Sequence, residues 1–459
     1  MSSSSTWWRR GAVATAATLA ATAAVAVGAS ASSAKTPVAH AASAGFTVLA
    51  YGDSENSVEK YAVATYDATS EGQQDPATLE TIPGADYQQK LQTIMSTSNA
   101  PAVFFNWGGG SILQFEKAGL LQPLNSMMAS NPDLKSEFLP SILSAAEIGG
   151  NYYGIPMRGT QPVFLFYNKS VLTANHIAVP KTWPQFLAAV TKLKKAGVDT
   201  PIALGGADQW PTLMWYEYLY DRVAGPSLVT DALAGQSSVW GSAASKKALA
   251  DLKQLVKTGA FGVDKSWDSV YFTKNQTAAM LQTGESAFEL MGSWDYSTIQ
   301  SQLDDGSTSA SAQNAAAVQE NKLIGYTAFP SIPGGKGNGS DIAGNTENYY
   351  SVTKAGYASN PGIADFLAVM YTKGFVQKEL AIGNLTTTKN TPSLISGPTA
   401  AYLKWQYALV NKAPAFQLSW DQAWPQTDSN TIHTAVANYL DTLNASQFIK
   451  AMEGLTPAS

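Results

Sequence analysis

Residues 163–167 read Val163-Phe164-Leu165-Phe166-Tyr167, five apolar positions without a break. A strand with one wet face alternates polar and apolar side chains, so an unbroken run predicts a strand buried on both faces. Downstream, Thr182 precedes Phe186, Leu187, Val190 and Leu193, which share one helical face. Lys194 and Lys195 fall in the last turn and Gly197 stops it. The same alternation extends both ways. Upstream are a short β-type run, Phe46 to Ala50, a helical stripe of Tyr87, Leu91, Ile94 and Met95, and a second run, Ala102 to Phe105. Downstream, Leu249, Leu252, Leu255 and Val256 mark a helix ending at Gly259, and Asn360-Pro361 opens another carrying Ile363, Phe366, Leu367 and Met370. Strand–helix alternation of this kind predicts an α/β protein with parallel sheets covered by helices. Gln302 to Gln319 lacks apolar periodicity, and Ser331 to Gly344 is rich in glycine, so both read as irregular surface.

Composition narrows the function. The chain has 459 residues, which suits two or three domains. Cysteine is absent, which excludes disulfides, thiolate nucleophiles and thiolate metal sites. The histidines are His40, His176 and His433, too few for a histidine-rich metal centre, and no cofactor is expected. Asp304-Asp305-Gly306 lacks the spaced oxygen ligands of a calcium loop. A net charge of −5 argues against a nucleic-acid partner. Charged residues make up 14 %, well below the usual share, and small and amide residues take their place, as on an exported protein.

The N-terminus supports export. Arg9 and Arg10 precede an uncharged, alanine-rich stretch from Gly11 to Val27, and Ala39-His40-Ala41 and Ala42-Ser43-Ala44 are small-x-small cleavage sites. Residues 1–44 therefore read as a secretion signal. Their removal would take away Arg9, Arg10 and Lys35 and no acid, moving the net charge from −5 to −8. Sequence does not distinguish general from twin-arginine export, and a retained anchor is the alternative.

Five separated stretches resemble the extracellular solute-binding proteins of ABC importers, in their sugar-binding group. The first runs from Tyr87-Gln88-Gln89-Lys90-Leu91 through Pro101-Ala102-Val103-Phe104 to Ala118-Gly119-Leu120-Leu121-Gln122-Pro123-Leu124. Tyr152-Tyr153-Gly154-Ile155-Pro156 with Phe166-Tyr167-Asn168-Lys169 is the second, and Pro180-Lys181-Thr182-Trp183 with Gly197-Val198 and Pro201-Ile202 the third. Gly284-Glu285-Ser286-Ala287 with Gly292-Ser293-Trp294 is the fourth, and the Asn360-Pro361 helix the fifth. The resemblance implies a two-lobed periplasmic-binding-protein-like fold of type II, each lobe a mainly parallel sheet flanked by helices, with a ligand cleft at the hinge. It places residues 45–156 and 341–371 in lobe 1, residues 157–329 and 372–459 in lobe 2, and a crossover loop at 330–340. It implies a monomer that binds a carbohydrate and delivers it to ABC permease subunits. Related proteins of monoderm bacteria carry a lipidated cysteine after the signal, and this chain has none, so lipid anchoring is not expected.

Candidate recognition residues lie at turns after strands, where ligands of open α/β sheets collect. Trp107 follows Phe104 to Asn106; Asp208 and Trp210 follow Pro201 to Leu204; Trp294 and Asp295 follow Phe288 to Met291; Trp420 precedes Asp421-Gln422. Asp53 and Glu55 follow the first strand, Arg158 lies near the first crossover, and Glu347 near the return. A sugar has an apolar face for an aromatic ring and a rim of hydroxyls for Asp, Glu, Asn, Gln and Arg. Trp210 and Trp294 are expected to stack on sugar rings, with Asp208 and Glu55 or Glu347 binding hydroxyls. Two other functions remain open. A secreted glycoside hydrolase would set two carboxyls across the scissile bond. A carbohydrate-binding protein without a transporter partner would share the cleft but not the permease.

Overall fold

The computed structural model describes residues 45–138, 142–143, 145–303 and 310–456. The secretion signal read at 1–44 and the Asp304-Asp305-Gly306 turn lie outside the described residues.

Thirteen strands are seen among them: β1 Phe46–Gly52, β2 Ala77–Pro83, β3 Val103–Asn106, β4 Glu147–Ile148, β5 Asn151–Tyr152, β6 Ile155–Pro156, β7 Gln161–Asn168, β8 Ile202–Ala203, β9 Phe288–Gly292, β10 Ile324–Thr327, β11 Ile342–Asn345, β12 Tyr349–Val352 and β13 Phe416–Leu418. One sheet has the order β2-β1-β3-β12-β6. The other has the order β13-β11-β7-β9-β8, with β10 also pairing β7, while β4 and β5 form a small hairpin. Each sheet is covered by helices and has its own apolar core. The first gathers Val48, Val103, Phe104, Tyr350 and Phe366. The second gathers Val163 to Phe166, Phe186, Trp215, Leu252, Phe288 and Phe448. The unbroken apolar run at 163–167 is the central strand β7, as its composition predicted.

The sheets are mixed rather than mainly parallel. β1 runs parallel to β2 and β3, but β12 is antiparallel to β3 and β6. β7 is antiparallel to β9, β10 and β11, while β8–β9 and β11–β13 are parallel. The cause is topological. β7 and β12 are each entered directly from the other sheet, not through a covering helix, so they are free of the parallel βαβ constraint.

The chain passes between the sheets at adjoining places. Met157 to Thr160 joins β6 to β7, and Thr346 to Asn348 joins β11 to β12. The Met157 amide donates to the Asn348 carbonyl at 2.9 Å, and the Thr160 amide to the Leu385 carbonyl at 2.9 Å. Segments near residues 158, 347 and 386 are thus sewn into one junction. The expected lobe boundaries shift accordingly. Ile342 to Asn345 belongs to the second sheet, although residues 341–371 were expected in the first lobe. The helix Lys373–Ala381 gives Phe375 to the first core and Val376 and Leu380 to the second, so it straddles the division placed at 372.

Local signals account for many element ends. Thr182 accepts from the Gln185 amide while Gln185 reaches back, a capping box that starts the helix Trp183–Lys195. Gln302 to Gln319, read as irregular, is corrected at its end, because Ala310–Leu323 is a helix. Its inward face is made of Ala316, Ala317 and Glu320, which carry no conventional apolar stripe. No helix among the described residues is long and apolar enough to cross a membrane.

Candidate functional site

A cavity of about 460 Å³ opens between the two sheets. The first sheet's side supplies Tyr51, Asp53, Gln88 and Trp107; the second supplies Asp208, Trp210, Tyr271, Trp294, Asp421 and His433. Asn345, at the end of β11, and Asn348, in the crossing segment, also line it.

The aromatic wall is built locally. Trp294 follows Gly292 at the end of β9, and its ring folds back over that glycine. A Cβ at position 292 would overlap the indole, so the Gly-Ser-Trp sequence is what lets the ring lie there. Trp210 heads the helix Trp210–Ala224 directly after Gln209, whose φ of +63° is uncommon for a residue with a side chain. The Trp210 and Trp294 rings lie 6.0 Å apart at 54°, and Phe272 braces Trp210 edge-on at 5.2 Å. On the opposite side, Trp107 packs edge-on against Phe105 at 4.9 Å and Tyr51 at 5.5 Å. All three indoles are partly buried, with area left toward the cavity.

Polar groups divide into those committed inside the protein and those left facing the space. Arg158, 2 % exposed, lines the cavity but is anchored behind it. Its Nε donates to Glu59 Oε1 at 2.7 Å, its Nη1 to Asp53 Oδ2 at 2.7 Å and Glu55 Oε2 at 3.1 Å, and its Nη2 to the Tyr51 carbonyl at 3.2 Å. Burial pushes the Glu55 carboxyl up to about 8 against the pull of Arg158, and raises Glu59 in the same way. Arg158, expected as a sugar contact, is therefore the clasp of a buried acid cluster, and Glu55 is part of that clasp. Asp53 also caps the turn after β1, accepting from the Glu55 amide at 2.9 Å, and remains partly exposed.

Glu347, Asp295 and Trp420 are not among the lining residues. Glu347 ties the junction together. Its Oε1 accepts from the amides of Arg158 at 3.1 Å and Asn348 at 3.0 Å, and its Oε2 from the Thr387 hydroxyl at 2.8 Å. Burial raises it to about 7 despite these donors. Asp295 points inward beside Glu289 and Glu320, with burial and then Glu289 driving its carboxyl far above the usual range. Trp420 is fully buried against Trp240 at 5.1 Å, Tyr220 at 5.5 Å and Tyr216 at 5.6 Å. Its polar neighbours misled the sequence reading: on a one-turn helix the ring faces the core while Asp421 and Gln422 face the cavity.

Asp208 does line the cavity, with both oxygens held by the Thr273 amide at 2.9 Å and hydroxyl at 2.7 Å. Residues the sequence reading missed come from distant segments. His433 Nε2 lies 3.1 Å from Asp421 Oδ2, and Tyr271, Gln88, Gln161, Asn345 and Asn348 are also part of the polar lining. Asp421 and Gln422 were visible as neighbours of Trp420. For His433, in the long helix Gln426–Thr442, sequence carried no signal. Across the opening, Ser54 Oγ lies 3.0 Å from Ser297 Oγ and 3.2 Å from Thr298 Oγ1. No group of three or more metal-ligating side chains occurs among the described residues.

Comparison with known proteins agrees with this geometry. The family described as bacterial extracellular solute-binding protein matches residues 51–377. An uncharacterised ABC transporter extracellular-binding protein of Pyrococcus horikoshii is 29 % identical over 213 residues, 45 % of this chain and 47 % of that protein. The melibiose/raffinose/stachyose-binding protein of Bacillus subtilis is 25 % identical over 220 residues, 46 % of this chain and 47 % of its own. The alignments span about half the length of these relatives. In structure, a protein from work on xylan utilisation by Caldanaerobius polysaccharolyticus superposes with a TM-score of 0.76 at 23 % identity, covering 89 % of this chain and 98 % of its own. A chitin oligosaccharide binding protein gives 0.74 at 24 % identity, covering 90 % and 97 %. These likenesses establish the two-lobed fold.

Proposed function

The chain belongs to the bacterial extracellular solute-binding proteins, and we propose that it binds a di- or oligosaccharide between its two lobes and delivers it to an ABC importer. The observation that carries this reading is the lining of the cavity, in which Trp107, Trp210 and Trp294 offer ring faces and edges while Asp208, Asn345, Asn348, Asp421 and Gln422 surround them. Indoles cover the C–H face of a sugar and amides and carboxylates meet its hydroxyls. A volume of about 460 Å³ lies within the span of small-molecule sites.

Binding is proposed without bond cleavage. The ligand touches residues of both sheets, so it favours the closed arrangement over an open one. Delivery would depend on that closed shape being presented to permease subunits outside the cytoplasm. The names of the sugar-binding relatives support the saccharide class, as does the family's description for the extracytoplasmic location.

A thermal-shift screen of the pure protein against mono-, di- and trisaccharides tests this. A saccharide at a hundredfold its dissociation constant adds about 2.7 kcal/mol of stability. No shift across the panel contradicts the reading, and released reducing sugar would instead mark a hydrolase.

A further inference from the structure

Among the described residues that line the cavity, Arg158 alone carries a permanent positive charge, and it has none to offer a ligand. A guanidinium has five N–H groups. Its five contacts are Glu59 through Nε, Asp53 and Glu55 through Nη1, and the Tyr51 carbonyl and Glu59 through Nη2. Its flat face is covered as well, 4.9 Å from the Phe105 ring.

The acids opposite have no such clasp. Asp208 accepts from neutral Thr273 donors and keeps lone pairs on both oxygens. Asp421 has His433 at Oδ2 and no partner at Oδ1. Lys274 follows Thr273, but its ammonium sits over the Tyr271 ring, 3.3 Å from the centroid. Two lining amides, each more than nine-tenths buried, also keep an unpartnered atom: Nδ2 of Asn348, a donor, and Oε1 of Gln422, an acceptor.

We infer, building on the saccharide reading, that the cleft selects uncharged saccharides, accepts those bearing a protonated amine, and excludes those carrying a carboxylate, sulfate or phosphate. An anion entering this space loses hydration and meets carboxylates with every fixed cation already engaged. An ammonium meets carboxylate lone pairs on Asp208, with the Asp421–His433 pair beside it.

Calorimetry with matched disaccharide sets tests this, each set holding the neutral sugar, its uronic acid and its amino counterpart in α-1,4, β-1,4 and α-1,6 linkage. Wherever the neutral member binds, the uronic acid is expected to bind about tenfold more weakly or worse, and the amino sugar at least as well as the neutral one. The acid's deficit should shrink at high salt. Asp421→Asn should narrow the gap between acid and neutral members. Equal or tighter binding of the uronic acid overturns the inference and leaves the saccharide reading standing, as does an unchanged gap in Asp421→Asn. Failure of every neutral member to bind overturns the saccharide reading, and the inference with it.

Discussion

The indole rings of Trp210 and Trp294 stand 6.0 Å apart and inclined at 54°, one at the head of a helix and the other folded over Gly292. They form a corner, not a stack, so each keeps a free face toward the cavity. Trp210→Ala and Trp294→Ala should each cost about 2–3 kcal/mol of binding, one to two orders of magnitude in affinity. Calorimetry reads the loss, and circular dichroism should show the fold unchanged.

Trp420 should behave in the opposite way. Its ring is fully buried among Tyr216, Tyr220 and Trp240, so Trp420→Ala opens a cavity in the second core. The expected cost is about 3–5 kcal/mol of stability by denaturant unfolding. Saccharide affinity of the fraction that remains folded should change little.

The position of Trp294 on the cavity wall was legible, because a strand, a glycine turn and an indole are contiguous at 288–294. The sequence reading failed where burial is decided by distant packing. Trp420 has the same polar neighbours as Trp294, but only the tertiary structure puts three aromatic rings around it. Arg158 and Glu347 read as candidate sugar contacts because their partners, Glu59 and Thr387, lie far away in the chain. His433 meets Asp421 only because the long C-terminal helix returns to the opening. The helix at 310–323 was missed because its buried face is alanine and glutamate.

Arg158 holds Asp53, Glu55 and Glu59 together at the edge of the cleft. Arg158→Met removes the one cation and leaves the acids facing each other in a buried place. Breaking such a cluster costs about 3–5 kcal/mol. Thermal unfolding should show a large fall in Tm, partly recovered in a second-site Glu59→Gln background.

Stability should rise as pH falls from about 8 to about 5. Burial lifts Glu217 from an ordinary 4.5 to about 8, and Glu289 and Glu347 to about 7. Each binds its proton more tightly folded than unfolded. Their stabilising contribution is therefore complete below about 4.5 and is lost as pH climbs through 7 to 8. Calorimetric Tm should be several degrees higher at the lower pH, and Glu347→Gln should flatten part of the slope.

Ser54 bridges the opening to Ser297 and Thr298. Ser54→Ala should weaken closure by about 1 kcal/mol, the worth of one such hydrogen bond. Small-angle scattering of the ligand-free protein should show a larger radius of gyration than wild type.

The central claim is that a saccharide lies between the lobes against the tryptophan corner. A crystal structure of the protein with a disaccharide that stabilises it measures this directly. The sugar should be found between the two sheets, with C–H groups within about 4 Å of the Trp210 or Trp294 ring and hydroxyls on Asp208 or Asn348. A disaccharide bound elsewhere on the surface, with both indoles untouched, would contradict the account.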